Sequence, residues 1–175
     1  KIQFLTAFRR VRDAAPVGIG DDVEVFPVLE LRAEAQGQPG VSTFVPPFHG
    51  DEVAATRLEL MTGDRKSTAI VVTSAVMGEG KSSTALNLGY VLAKDLDRKT
   101  IVIDCDLKRP MQHIYAGVWQ QPGLAEVLRG TKVVEDCLQR LGEAGPWILT
   151  AGSVGDNPLA LSKMHQLADL IAELK

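Results

Sequence analysis

The chain has 175 residues, 45% of them hydrophobic, and a formal net charge of −3 at pH 7. These values suit one domain with a tail and argue against a general nucleic-acid binder, because duplex affinity depends on Lys and Arg that neutralise phosphates. Two cysteines without paired spacing, Cys105 and Cys137, suit a reducing compartment and supply no zinc or disulfide framework. The cysteine usage predicts a cytoplasmic protein. No apolar run approaches the roughly 18 residues that span a bilayer, which predicts no direct membrane span.

Residues 1–50 are predicted to form an irregular extension and linker. Five of the nine prolines lie there, and the stretch QGQPGVSTFVPPFHG (36–50) is typical of a linker. Leu5, Phe8 and Val11 recur at helical spacing beside basic residues, which predicts a short basic amphipathic helix. For this helix, docking on the core is favoured over a role at a membrane surface.

From residue 51 to residue 175, helices alternate with short apolar strands, which predicts an α/β domain with a parallel sheet flanked by helices. The predicted strands are TAIVVTS (68–74), KTIVID (99–104) and WILTAG (147–152). The predicted helices are DEVAATRLELMTG (51–63), KSSTALNLGYVLAKDL (81–96), GLAEVLRG (123–130), KVVEDCLQRL (132–141) and KMHQLADLIAEL (163–174).

A glycine-rich turn joins the first of these strands to the helix after it. In that context backbone N–H groups converge on an anion, and the helix N-terminus adds about half a positive charge. In the phosphate-loop pattern G-x-x-x-x-G-K-[ST], Lys81 reaches the outer phosphates and Ser82 supplies a hydroxyl for magnesium. Ala75 replaces the first glycine, which an extended strand end tolerates. The alternative is an ordinary glycine-rich turn. The predicted nucleotide-binding residues are Ala75, Val76, Met77, Gly78, Glu79, Gly80, Lys81, Ser82 and Ser83.

A pair of carboxylates, Asp104 and Asp106, follows the second predicted strand. Their spacing places both on one side of an extended chain. Both clusters lie at the C-terminal ends of predicted parallel strands, where such sheets bind ligands. A hydrated magnesium ion beside the phosphates is therefore the predicted partner of the pair. A surface turn held by Arg109 is the alternative.

These segments resemble bacterial tyrosine kinases of polysaccharide export systems, a branch of the deviant P-loop ATPases. VTSAVMGEGKSSTALNLGYVLA is similar to the family's nucleotide loop T-S-A-x-P-G-E-G-K-S, in which alanine normally stands at the position of Ala75; Met77 departs from the proline. IVIDCDLKRPMQH is similar to the family's acidic motif D-x-D-x-R-x-P. PGLAEVLRG and TAGSVGDNPLALSKM are similar to two further family segments, in the same order.

The resemblance implies a P-loop fold that binds ATP or ADP with Mg²⁺. It implies that Lys81 is a ligand of the β- and γ-phosphates and that Ser82 is a magnesium ligand, with Asp106 holding the metal through water. Asp104 becomes the candidate base that faces the acceptor hydroxyl. Lys81, Asp104 and Asp106 are thus the predicted catalytic residues.

The sequence departs from the family in three places. The third acidic (Walker B) motif, an apolar strand ending in Asp, is missing after LADLIAELK, so we expect these 175 residues alone to be inactive. Ala55 and Leu58 stand where the family has arginines of a subunit-contact segment, which disfavours ring assembly through that helix. A tyrosine cluster is absent: Tyr90 is predicted to pack in the core and Tyr115 to lie at a surface or interface.

By this resemblance the longer protein is an ATP-dependent tyrosine autokinase that regulates the biosynthesis and export of an exopolysaccharide or capsule. Its implied partners are a transmembrane polysaccharide co-polymerase, or the cytoplasmic tail of one, and further copies of itself; a partner would supply any membrane association. One alternative is a nucleotide-dependent switch or scaffold without tyrosine kinase activity. Another is a partition-type ATPase, ranked last because Val76 stands where that class carries lysine.

Overall fold

A computed structural model describes residues 2–9, 23–27, 54–56, 58, 60, 67–74, 78, 80–153 and 164–174. The strands are β1 (Ile2–Arg9), β2 (Val23–Pro27), β3 (Ser67–Ser74), β4 (Lys99–Asp104), β5 (Leu138–Arg140) and β6 (Trp147–Leu149). The helices are α1 (Lys81–Lys94), α2 (Gln112–Ala116), α3 (Leu124–Arg129) and α4 (Leu167–Glu173), with 3-10 turns at Glu135–Cys137 and Met164–Gln166. Residues 54–56, 58 and 60 are also helical.

The strands form one sheet in the order β2-β3-β1-β4-β6-β5. Pairing is parallel from β2 through β6, and β5 is antiparallel to β6. Ile101 and Ile103 of β4 pack in one apolar cluster and Val102 packs in another, as the two-residue period of a strand requires. Both faces of the sheet are therefore covered, which confirms the predicted α/β class with a parallel sheet flanked by helices.

Helix α1 and strand β3 lie where the sequence predicts them. The apolar stripe of α1, formed by Ala85, Leu88 and Leu92, is buried. The described residues of the predicted helix before β3 are helical, and Ala55 and Leu58 are buried. None of the described helices is long and apolar enough to cross a bilayer.

The predicted amphipathic helix around Leu5 and Phe8 is wrong, because both residues lie on strand β1. Leu5 is in register with Ile70 of β3 and with Val102 of β4, so hydrogen-bonding partners on both sides select the extended form. A short apolar run does not distinguish strand from helix by its period alone. Val11 and the predicted linker lie outside the described residues.

Two strands of the sheet, β1 and β2, thus come from the region before residue 50 that was predicted to be irregular. The boundary at residue 50 stays a prediction.

The predicted helix at 132–141 is also wrong. Residues Glu135–Cys137 make one 3-10 turn, and Leu138–Arg140 form β5. Leu138 pairs with Leu149 and Arg140 pairs with Trp147, so the hairpin with β6 outweighs the helical period of the sequence.

Candidate functional site

The glycine-rich turn runs from the end of β3 at Ser74 to the start of α1 at Lys81. Gly78 and Gly80 have φ values of 91° and 84°, in the left-handed region that glycine adopts at little cost. A Cβ on Gly78 would meet nothing within 4 Å, so the conformation, and not the space, calls for glycine there. The predicted strand, loop and helix order is confirmed; Ala75, Val76, Met77 and Glu79 lie outside the described residues.

The first turn of α1 has no side-chain cap and no acidic residue. Neither the N-cap residue Gly80 nor the first turn thus supplies an acidic side chain to these N–H groups, an arrangement that suits an anion. Lys81 is the first helical residue, and its side chain is 14% exposed. Ser82 is buried, and the Ser83 hydroxyl donates to the Gly80 carbonyl at 2.9 Å. Roles of Ser82 and Ser83 as ligands stay predictions.

The Asp104 carboxylate organises the segment that follows β4. Its Oδ1 accepts the Asp106 N–H at 3.1 Å, and its Oδ2 accepts the N–H groups of Met111 and Gln112 at 3.1 and 3.0 Å. A carboxylate offers about four acceptor sites, so these bonds leave about one. Asp104 is 1% exposed.

Burial raises the pKa of Asp104 above its usual value, and the charge of Asp106 adds to that rise. The backbone N–H groups of Gln112, Asp106 and Met111 oppose it, because they stabilise the ionised form. Cys105 stands between Asp104 and Asp106 in the sequence. Burial raises the pKa of its thiol well above the ordinary value, and the charges of the two carboxylates add to the rise. Cys105 is therefore a neutral thiol and a poor nucleophile or metal ligand.

Asp106 connects this segment to helix α1. Its Oδ2 lies 3.4 Å from Lys81 Nζ, and its Oδ1 accepts the Arg109 N–H at 3.1 Å. The structure thus brings Lys81 and Asp106 together, as two clusters at the ends of parallel strands predict.

Gln112 makes a second connection between the same two segments. Its side-chain Nε2 donates to the Ser82 carbonyl at 3.0 Å, while its backbone N–H donates to Asp104. Sequence reasoning missed this residue. No local signal marks Gln112, because its partner Ser82 is 30 residues away in the chain.

The residues at this site suit a nucleotide and its metal ion. A cation at a helix end and a nearby carboxylate are what phosphates and Mg²⁺ require. Among the described residues, no group of three or more His, Cys, Asp or Glu could hold a metal alone.

Strand β1 occupies the position between β3 and β4, so its C-terminal end lies between the turn and the acidic pair. Arg9 is in register with Ser74, and Ala7 is in register with Asp104. The end of β1, Phe8–Arg9, carries no carboxylate. The described strands therefore supply no third acid between the two clusters.

No family model matches the sequence. The tyrosine-protein kinase YwqD of Bacillus subtilis (strain 168) is 34% identical over 118 residues, which are 67% of this chain and 49% of that protein. The tyrosine-protein kinase etk of Escherichia coli (strain K12) is 28% identical over 116 residues, 66% of this chain and 16% of that protein. The chain thus spans about half of the first relative and a smaller share of the second.

Solved kinase domains share the fold. The kinase domain of Escherichia coli tyrosine kinase ETK superposes with a TM-score of 0.64 at 24% identity, covering 89% of this chain and 66% of that chain. The VpsO kinase domain superposes with a TM-score of 0.58 at 38% identity, covering 71% of this chain and 64% of that chain.

Proposed function

The chain belongs to the bacterial tyrosine kinase family, and from that premise we propose that it forms the nucleotide-binding part of an ATP-dependent protein-tyrosine autokinase. The observation that carries this proposal is the 3.4 Å contact between Lys81 Nζ and Asp106 Oδ2 at the turn before α1. This contact supports the proposal, because a cation suited to phosphates lies next to a carboxylate suited to magnesium.

Each residue at this edge has a distinct task in the proposal. Lys81 and the N–H groups of the turn bind the phosphates, and Ser82 and Asp106 hold magnesium, Asp106 through water. Magnesium supplies charge neutralisation, which with alignment is most of what phosphoryl transfer requires. Asp104 keeps its role as candidate base, exercised through its remaining acceptor site.

We place the protein on the cytoplasmic side of the membrane, where it controls the synthesis and export of an exopolysaccharide or capsule. Its partners are a transmembrane polysaccharide co-polymerase, or that protein's cytoplasmic tail, and further copies of itself.

A switch or scaffold without kinase activity is the second candidate, and the positions of the tyrosines favour it. The chain has two tyrosines. Tyr90 lies on α1 under Lys94, and Tyr115 packs against the apolar cluster on the α1 face; both are half-buried. Half-buried hydroxyl groups are less accessible to a kinase site than exposed ones, which is why these positions favour the switch.

The test is calorimetric titration of the full-length protein and its Lys81→Met variant with magnesium-ATP, followed by phosphotyrosine mapping by mass spectrometry. Loss of a charge-assisted contact worth about 1.5–3 kcal/mol should weaken binding at least tenfold. Lys94→Met, an exposed change on the same helix, should leave binding unchanged. Unchanged affinity in a folded Lys81→Met variant would contradict the phosphate-loop assignment. Nucleotide binding without phosphotyrosine would favour the switch.

A further inference from the structure

Gln112 is a fully buried amide at the first position of the short helix α2. Its Nε2 bonds the Ser82 carbonyl, whereas its Oε1 has no hydrogen-bonding partner within the described part of the chain. A buried acceptor without a partner costs free energy, and an apolar side chain of similar volume would avoid that cost. Packing alone therefore does not explain an amide at this place.

The contacts around Gln112 form a closed ring. Gln112 bonds Ser82 through its side chain and Asp104 through its backbone. Asp104 accepts the Asp106 N–H, and Asp106 pairs with Lys81, the chain neighbour of Ser82. The N-terminal end of α1 is thus attached to the acidic segment at two points, the Lys81–Asp106 ion pair and the Gln112–Ser82 hydrogen bond.

The two attachments differ in what a nucleotide does to them. Lys81 and Asp106 are both proposed ligands of the bound group, so phosphates compete for Lys81 and magnesium competes for Asp106. The bond from Gln112 to Ser82 uses a backbone carbonyl and an amide outside that set, so no ligand competes for it.

We propose that Gln112 is a positioning residue, which holds the end of α1 that carries Ser82 in register with Asp106 when the ion pair opens. This inference rests on the proposed function. Gln112 acts through Ser82 and Asp104, so its contribution belongs to the magnesium-dependent part of nucleotide binding. The phosphate contacts of Lys81 should depend on it less, because Gln112 bonds Ser82 whereas Lys81 pairs with Asp106.

The test measures ADP affinity of the full-length protein by calorimetry, with magnesium and with EDTA, for the wild type and Gln112→Met. Because one neutral hydrogen bond is lost, magnesium-ADP should bind about fivefold more weakly to the variant, while magnesium-free ADP should bind within about twofold of wild type. The matched control is Gln139→Met on β5, which removes an amide that bonds the Trp119 backbone at 2.9 and 2.6 Å. In this control variant, magnesium should raise the affinity for ADP by the same factor as in the wild type.

Gln112→Asn, an amide one methylene shorter, should show the same selective loss and guards against a folding defect peculiar to methionine. If magnesium raises the ADP affinity of either folded variant by the same factor as in the wild type, the positioning role is overturned. The proposed function is then still intact. Failure of both variants to fold also overturns it, because Gln112 would then determine the fold. Absence of ADP binding by the wild type overturns the proposed function and the inference together.

Discussion

Glu126 ties helix α3 to the segment that follows β6. Its Oε2 accepts the Gly123 N–H at 2.8 Å, and its two oxygens share the Ser153 N–H at 3.2 and 3.3 Å. Arg129, one turn later, pairs with the same carboxylate. Gly152, opposite this residue, has a φ of 80°, in the left-handed region that favours glycine. One carboxylate thus holds Gly123, before α3, and Ser153, after β6, together.

Glu126→Gln should lower the free energy of unfolding by about 1–3 kcal/mol. The amide cannot accept at both ends, so a backbone N–H loses its partner, and the pairing with Arg129 loses its charge. Urea unfolding followed by circular dichroism measures the change. Glu135→Gln, at an exposed position, is the control and should stay within about 0.5 kcal/mol of wild type. Equal stability of the two variants would contradict the role given to Glu126.

At the scale of elements, helix α1 packs closely against strand β4. Gly89 lies at this contact, where a Cβ would stand 2.5 Å from Val102 Cγ2 and 3.7 Å from Thr100 Cγ2. The conformation of Gly89 is helical, so the need for glycine there is one of space.

Gly89→Ala should therefore destabilise the protein although alanine is the better helix former. Overpacking costs about 1–3 kcal/mol, and helix propensity returns at most about 1 kcal/mol. A net loss of about 1 kcal/mol, read as a lower thermal midpoint, is expected. Lys94→Ala on the exposed side of the same helix serves as the control and should change the midpoint little. A higher midpoint for Gly89→Ala would show that α1 moves away from β4 at little cost.

At the scale of the whole molecule, β1 joins the two halves of the site. It is the strand between β3, which leads into the phosphate loop, and β4, which ends at Asp104. Both neighbours pair with it in parallel over most of its length. The separation between the loop and the acidic pair therefore depends on residues far away in sequence.

Leu5→Pro should prevent a stable sheet, because proline removes a backbone donor from a strand with neighbours on both sides. The neighbouring-strand carbonyl that loses this N–H donor alone costs about 1–3 kcal/mol. Lys81 and Asp106 should move apart when the sheet is lost. Val25→Pro on β2, which pairs with β3 alone among the described strands, should cost less. Thermal unfolding and ADP titration of both variants measure this difference. A larger loss of stability in Val25→Pro than in Leu5→Pro would contradict the central position of β1 in the sheet.

The sequence predicted the elements whose patterns are local and long. Helix α1 repeats its buried residues Ala85, Leu88 and Leu92 at helical spacing, and β4 is a continuous apolar run ending in an acid. It failed at β1 and β5, whose conformation depends on the strands that pair with them. The capping pair Gly123 and Glu126 was overlooked although its spacing is visible in the sequence.

The sequence by itself determined the chemistry of the candidate site: glycines at left-handed positions, a lysine at the first turn of a helix, and alternating carboxylates after a buried strand. These features lie within short segments, and backbone sterics and strand period act over a few residues. Only the tertiary structure decided that β1 stands between β3 and β4, that Asp106 meets Lys81, and that Gln112 reaches Ser82. Those contacts depend on which strands and helices become neighbours, and the period of a single segment does not encode its neighbours.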